Sequence, residues 1–152
     1  MGLLLKPTNT QRVDCYVDAD FAGLFAVENN QDPISVKSRT GYVVLYKGSP
    51  LLWVSKMQTQ IALSTMEAEY VALSTSCKDL FPIVDLIRAL CSAVGLEMAA
   101  VANMHIKIHE DNVGALLIGK LEPRWMTPRS KHYAIKYHWF QEQNGPRNIE
   151  LV

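Results

Sequence analysis

The chain has 152 residues, 49% hydrophobic and 20% charged, with 15 Lys+Arg balancing 15 Asp+Glu. That apolar content excludes a disordered tail, and the even interruption by charge excludes a membrane span, which leaves one ordinary globular domain over residues 1–152. The zero net charge hides a modest asymmetry: residues 1–110 carry nine Lys/Arg against eleven Asp/Glu, and residues 111–152 carry six against four. Acids early and bases late are what an acidic site beside a basic face produces, and also what plain solvated surfaces produce.

Residues 1–12 read as a linker, with three leucines in place of a signal-peptide core and no small-residue cleavage site after them. From Val13 to Asp20, Val13, Cys15 and Val17 alternate with Asp14, Tyr16 and Asp18, and a period of two predicts a strand. Residues 21–40 carry the Gly, Asn, Asp, Pro and Ser of a loop. The runs 41–46 and 51–55 flank Lys47–Pro50 and predict a hairpin. Ser64 and Glu67 form a capping box in which Glu67 should return to the Ser64 amide, so a helix starts at about Thr65. Pro82 should break that helix near Leu80, with a second helix running to Val94 before Gly95.

Met104, Ile106 and Ile108 alternate with His105, Lys107 and His109 in a strand ending at Asp111–Asn112, followed by a short helix over 113–119. Ser130 can cap a helix over 131–143, and 148–152 alternate again as a final strand. The order βββααβααβ describes an α/β domain whose mixed sheet has three antiparallel strands followed by parallel crossovers. Cys15, Cys77 and Cys91 form an odd set without a CxxC pair, as reduced core thiols of an intracellular protein do. Trp53 and Trp139 are expected in the core.

Three acids stand where apolar residues or strand ends are expected. On the first helix the stripe Met66, Glu69/Tyr70, Leu73, Cys77, Leu80 contains Glu69, whose carboxylate costs several kcal/mol there unless a cation meets it. Asp18 closes the first strand, with Asp20 on the same sheet face, and Asp111 closes the later strand. If those strands are neighbours and the helix packs on them, hard oxygen ligands of like charge converge without a base, as a Mg²⁺ or Mn²⁺ site requires. A nucleophilic Ser or Cys is not needed in such a site, and the chemistry that fits is two-metal phosphodiester hydrolysis. His105 and His109 lack partners at zinc-ligand spacing.

These residues resemble the ribonuclease H domain of copia-type LTR retrotransposon polyproteins. The resemblance lies in Tyr16–Gly23 (YVDADFAG), Lys37–Tyr42 (KSRTGY), Trp53–Gln58 (WVSKMQ), Leu63–Leu73 (LSTMEAEYVAL), Glu110–Asn112 (EDN), and Ser130–His132 (SKH) through Tyr137–His138. They run in the family's order across almost the whole chain. The resemblance implies a ribonuclease H-like fold with a five-stranded sheet and cleavage of the RNA strand of an RNA–DNA hybrid during reverse transcription. It implies two Mg²⁺ ions, replaceable by Mn²⁺, held by Asp18, Glu69 and Asp111, with Asp20 as a candidate helper.

The resemblance also places a fourth acid on a helix beyond Val152, so the 152-residue chain is expected to stop in or just after its last strand and to cleave weakly. It makes residues 1–12 a linker from a preceding polymerase region, and names as partners the hybrid and the adjacent reverse transcriptase domain, with no membrane. Candidate hybrid contacts are Arg39, Lys56, Gln58, Ser64, Thr65, Asn112, Arg129, Lys131 and His132. The intracellular setting it implies is a cytoplasmic virus-like particle or the nucleus. The alternative from another class is a decayed module that binds nucleic acid or acts as a scaffold without cutting.

Overall fold

The computed structural model describes residues 5–27, 31–95 and 104–120, together with Trp139, Phe140, Glu142, Gln143, Arg147 and 149–152; residues 117–120 are described by their backbone alone. Five strands form one mixed sheet: β1 (Arg12–Asp20), β2 (Arg39–Tyr46), β3 (Ser49–Met57), β4 (His105–Glu110) and β5 (Ile149–Leu151), in the order β3-β2-β1-β4-β5. The pairs β1–β2 and β2–β3 are antiparallel, whereas β4 runs parallel to β1 and β5 parallel to β4. The mixed sheet expected from the alternation is the one observed. Two helices, α1 (Thr65–Ala93) and α2 (Val113–Lys120), are described in full length.

The hairpin turn is tighter than the four residues Lys47–Pro50 suggested. Lys47 and Gly48 both have positive φ, 52° and 80°, which is the backbone of a two-residue turn whose twist matches its strands. Ser49 and Pro50 therefore already belong to β3, and Pro50 faces Leu45 where the register shifts, a place that tolerates a missing N–H.

The core lies between the sheet and α1. Val13, Cys15 and Val17 of β1, Tyr42 and Val44 of β2, and Ile106 and Ile108 of β4 meet Tyr70, Leu73, Cys77, Leu80, Phe81 and Val84 of α1. That packing explains why α1 does not break at Pro82 and instead runs through it for 29 residues. An interior proline removes one amide donor and costs roughly 3 kcal/mol in a helix. Pro82 itself is exposed, while Leu80, Phe81 and Val84 around it are buried, and each such side chain returns about 1.5–3 kcal/mol on burial. The apolar face therefore holds the two halves on one axis.

The capping of α1 also differs by one residue. Ser64 Oγ accepts from the Glu67 amide at 3.1 Å as expected, but Glu67 Oε2 accepts from the Leu63 amide at 2.7 Å instead of from Ser64. Trp53 is a further correction. It is 69% exposed, because β3 is an edge strand whose Leu51, Trp53 and Ser55 face away from α1. Trp139 does pack on the core, its ring 5.4 Å from that of Phe81. Trp139, Phe140, Glu142 and Gln143 are helical, and the rest of the helix expected over 131–143 lies outside the described residues.

Cys15 and Cys77 are buried, Cys91 is partly so, and all three are free thiols. Among the described residues no helix is long and apolar enough to cross a membrane.

Candidate metal centre

Parallel pairing of β1 with β4 sets Val17 beside Glu110, so the residues that follow, Asp18 and Asp111, emerge side by side at one end of the sheet. Glu69, in the first turns of α1, is carried over that end because α1 packs on β1 and β2, with Tyr70, Leu73 and Cys77 in the shared core. One carboxylate oxygen from each of Asp18, Glu69 and Asp111 lies within 4.8 Å of the others, with both aspartates exposed and Glu69 buried. The three acids picked out from strand ends and an interrupted apolar stripe are thus brought together.

Among the described residues, the ion pairs join Arg12 and His109 to Asp14, Lys107 to Glu150, and Arg147 to Asp85. None of them involves the three acids. Glu69 Oε2 is buried without a hydrogen-bond partner. Burial pushes the Glu69 carboxyl up to about 7, the negative charges of Asp18 and then Asp111 push the same way, and the Ala19 amide partly offsets them. Oxygen donors of like charge, one of them buried and unpartnered, fit a hard divalent cation of the Mg²⁺ or Mn²⁺ kind.

Asp20, the candidate helper, stays outside this group. Its carboxylate lies over Gly23, so closely that a side chain at Gly23 would have to displace it. Asn112 is partly buried and its Oδ1 accepts from the Ala115 amide at 3.1 Å, which makes it the cap of α2. Ser64 and Thr65 stand at the start of α1, about one turn before Glu69, Ser64 half-buried and Thr65 exposed. Arg39 is half-buried at the start of β2, and Lys56 is exposed near the end of β3.

Gln58 does not reach the surface. Only 5% exposed, its Nε2 donates to Thr40 Oγ1 at 3.1 Å and to the Ala68 carbonyl at 2.8 Å. Both donors are spent on tying the exit of β3 to β2 and to the first turn of α1. Arg129, Lys131 and His132 lie outside the described residues.

The sequence reading missed Glu110. It is 4% exposed, Oε1 accepts from the Asn112 amide at 3.2 Å, and Oε2 is buried without a partner. Burial, with the charges of Glu69, Asp111 and Asp18 adding to it and the Asn112 amide opposing it, raises this carboxyl to about 8. The signal was present in the alternation. Ile106 and Ile108 set the buried face of β4, and Glu110 is the next residue in that phase, an acid in an apolar register like Glu69.

No protein-family model matches the chain. Over 151 residues, 99% of its length, it is 32% identical to the retrovirus-related Pol polyprotein from transposon RE2 of Arabidopsis thaliana, of which it covers 9%. Over 137 residues it is 29% identical to the corresponding polyprotein from transposon TNT 1-94 of Nicotiana tabacum, again covering 9% of it. The chain therefore spans under a tenth of the length of these relatives. Among solved structures, LC11-RNase H1, isolated from compost by a metagenomic approach, superposes with a TM-score of 0.55 at 18% identity, over 94% of this chain and 84% of that one. The same enzyme in complex with an RNA/DNA hybrid gives 0.56 at 16% identity, over 92% and 83%.

The fold is that of ribonuclease H. The relatives are Pol polyproteins of plant retrotransposons, which agrees with the resemblance carried by the YVDADFAG, LSTMEAEYVAL and EDN segments. Within this ribonuclease H fold, the acid group occupies the ends of the adjacent strands β1 and β4 and the first turns of α1.

Proposed function

We propose that the chain is the ribonuclease H module of a copia-type retrotransposon polyprotein, a metal-dependent endonuclease that hydrolyses the RNA strand of RNA–DNA hybrids. The observation that carries this reading is the convergence of Asp18, Glu69 and Asp111 without any cation among the described residues to neutralise them. Support comes from the Pol polyprotein relatives and from a structural neighbour crystallised with an RNA/DNA hybrid.

Asp18, Glu69 and Asp111 would hold two Mg²⁺ ions, with Mn²⁺ as a substitute. When bound, divalent ions at such a site lower the pKa of an attacking water and stabilise the leaving oxygen. The division of labour among the acids follows from their burial. Glu69 is buried on the packed face of α1 and would offer its carboxylate from a fixed position. Asp18 and Asp111 stand at the open rim, where a phosphodiester and water both have access.

The hybrid would be read by its backbone and shape, with little reading of base edges. The start of α1 at Ser64 and Thr65, one turn before Glu69, presents amides suited to a phosphate next to the acids. Arg39, Lys56 and Asn112 are the further contacts proposed from the described residues, and Arg129, Lys131 and His132 from the basic C-terminal part of the sequence. A reverse transcriptase domain in the same polyprotein would hold the same hybrid and raise its local concentration. The three free thiols support a reducing, intracellular setting.

The test is a cleavage assay on a hybrid labelled in the RNA strand. With Mg²⁺ the chain should cut that strand, and Asp18→Asn and Glu69→Gln should each lose more than the roughly 10–100-fold that outer partners of a metal site cost. Cleavage unchanged in both variants would contradict the assignment.

A further inference from the structure

Glu110 presents a problem of its own. A carboxylate this deeply buried needs a cation, a set of donors, or both. Among the described residues it has no ion pair, Oε1 accepts from the Asn112 amide, and Oε2 has no hydrogen-bond partner. Its place on β4 is beside Val17, one step before Asp18, and it is itself one step before Asp111. It shares the buried face of the sheet with Ile106 and Ile108, the face that α1 covers and on which Glu69 is buried. The bond from Asn112 closes a turn around Asp111, so Glu110 touches the segment that aims one of the three acids.

Resting on the metal-dependent reading above, we propose that Glu110 is a positioning carboxylate of the divalent-ion centre. One oxygen anchors the turn that presents Asp111, and the other adds negative charge to the ion site from its buried side. Among the described residues no cation pairs with these four carboxylates, and their joint charge equals in magnitude that of the two divalent ions proposed above. The arrangement also separates two duties: Asp18 and Asp111 stay open to solvent, and Glu69 and Glu110 supply charge from below, where water does not screen it.

The measurement is Mn²⁺ binding to the full chain, read from the free-ion EPR signal at one fixed pH, for the native protein and for Glu110→Gln, Glu110→Ala, Glu110→Asp and Asp18→Asn. Gln keeps the shape and the oxygen that accepts from Asn112 and loses only the charge. The proposal predicts Mn²⁺ affinity about tenfold weaker in Glu110→Gln, as for outer partners that tune a metal site. It also predicts that Glu110→Asp binds more tightly than Glu110→Ala, and this pair decides the matter should Gln not support folding. Native affinity in Glu110→Gln with weakened affinity in Glu110→Ala would show that Glu110 only braces the turn, and would overturn the proposal. Asp18→Asn separates the two levels: if it too binds like the native chain, the metal-centre reading fails, and if it alone loses Mn²⁺, only the role of Glu110 fails.

Discussion

Asp14 and Asp18 lie four residues apart on β1, in the same phase of the strand, and their surroundings are opposite. Asp14 is 2% exposed and fully engaged, with Arg12 Nε at 2.7 Å on one oxygen and His109 Nε2 at 2.9 Å on the other. Asp18 is exposed, has no ion pair among the described residues, and has carboxylate oxygens of Glu69 and Asp111 within 4.8 Å. Burial alone therefore does not mark a functional acid in this sheet. What separates the two ends of β1, among the described residues, is the counter-charge: Asp14 has Arg12 and His109 beside it, and Asp18 has no ion pair, which is where the proposed function calls for a metal ion.

The largest expected effect breaks the comparison at its unpaired end. Glu69→Gln should abolish most Mg²⁺-dependent cleavage while leaving the circular dichroism spectrum intact, because an amide fills the same space without the charge. A fold lost together with activity would instead make Glu69 structural.

At the paired end the expected loss is one of stability. Asp14→Asn removes the charge that Arg12 and His109 share, and should lower unfolding stability by about 1.5–3 kcal/mol, the range for a hydrogen bond to a charged group. Mn²⁺ affinity should stay at the native value. Chemical denaturation with and without Mn²⁺ reads both quantities, and a weakened ion site in Asp14→Asn would remove the distinction between the two ends.

A pH series sharpens the same point. Glu69 and Glu110 are raised from an ordinary 4.5 to about 7 and about 8, so the metal-free fold favours their neutral forms. With folded values above the unfolded ones, the stability they permit is present below about 4.5 and is lost as pH rises through about 7 and then 8. Melting temperature in EDTA should fall across that window. Excess Mg²⁺ should flatten the fall, since a bound cation favours the ionised carboxylates. Identical slopes with and without Mg²⁺ would contradict the placement of the ion among these groups.

The smallest effect belongs to Asp20. Turned over Gly23 and outside the acid group, it should behave as an ordinary surface position, with Asp20→Asn changing stability by no more than about 0.5 kcal/mol and cleavage little. A loss comparable to that of Asp18→Asn would return it to the centre.

Most of the sheet and the three acids were legible in the sequence, because both depend on local period and on strand ends. Glu69 stood out as an acid in an apolar helical stripe, and Asp18 and Asp111 as the closing residues of alternating runs. What escaped was settled by residues distant in sequence. Asp14 reads as outward-facing until parallel pairing brings His109 beside Tyr16 and within reach of its carboxylate. Pro82 reads as a break until packing against the sheet is counted, and Trp53 reads as core until β3 is known to be an edge. Gln58 stood among the candidate hybrid contacts, and only the fold shows both its hydrogens committed inward. Glu110 is different, since its phase with Ile106 and Ile108 marked it in advance by the criterion that selected Glu69.

The most direct measurement sets the two ends of β1 against each other on one substrate. An RNA–DNA hybrid labelled separately in each strand is incubated with the native chain, Asp14→Asn and Glu69→Gln, with Mg²⁺ or with EDTA. The account predicts cleavage confined to the RNA strand, dependent on Mg²⁺, retained by Asp14→Asn and lost by Glu69→Gln. Cleavage by Glu69→Gln at the native rate, or by the native chain in EDTA, would contradict it.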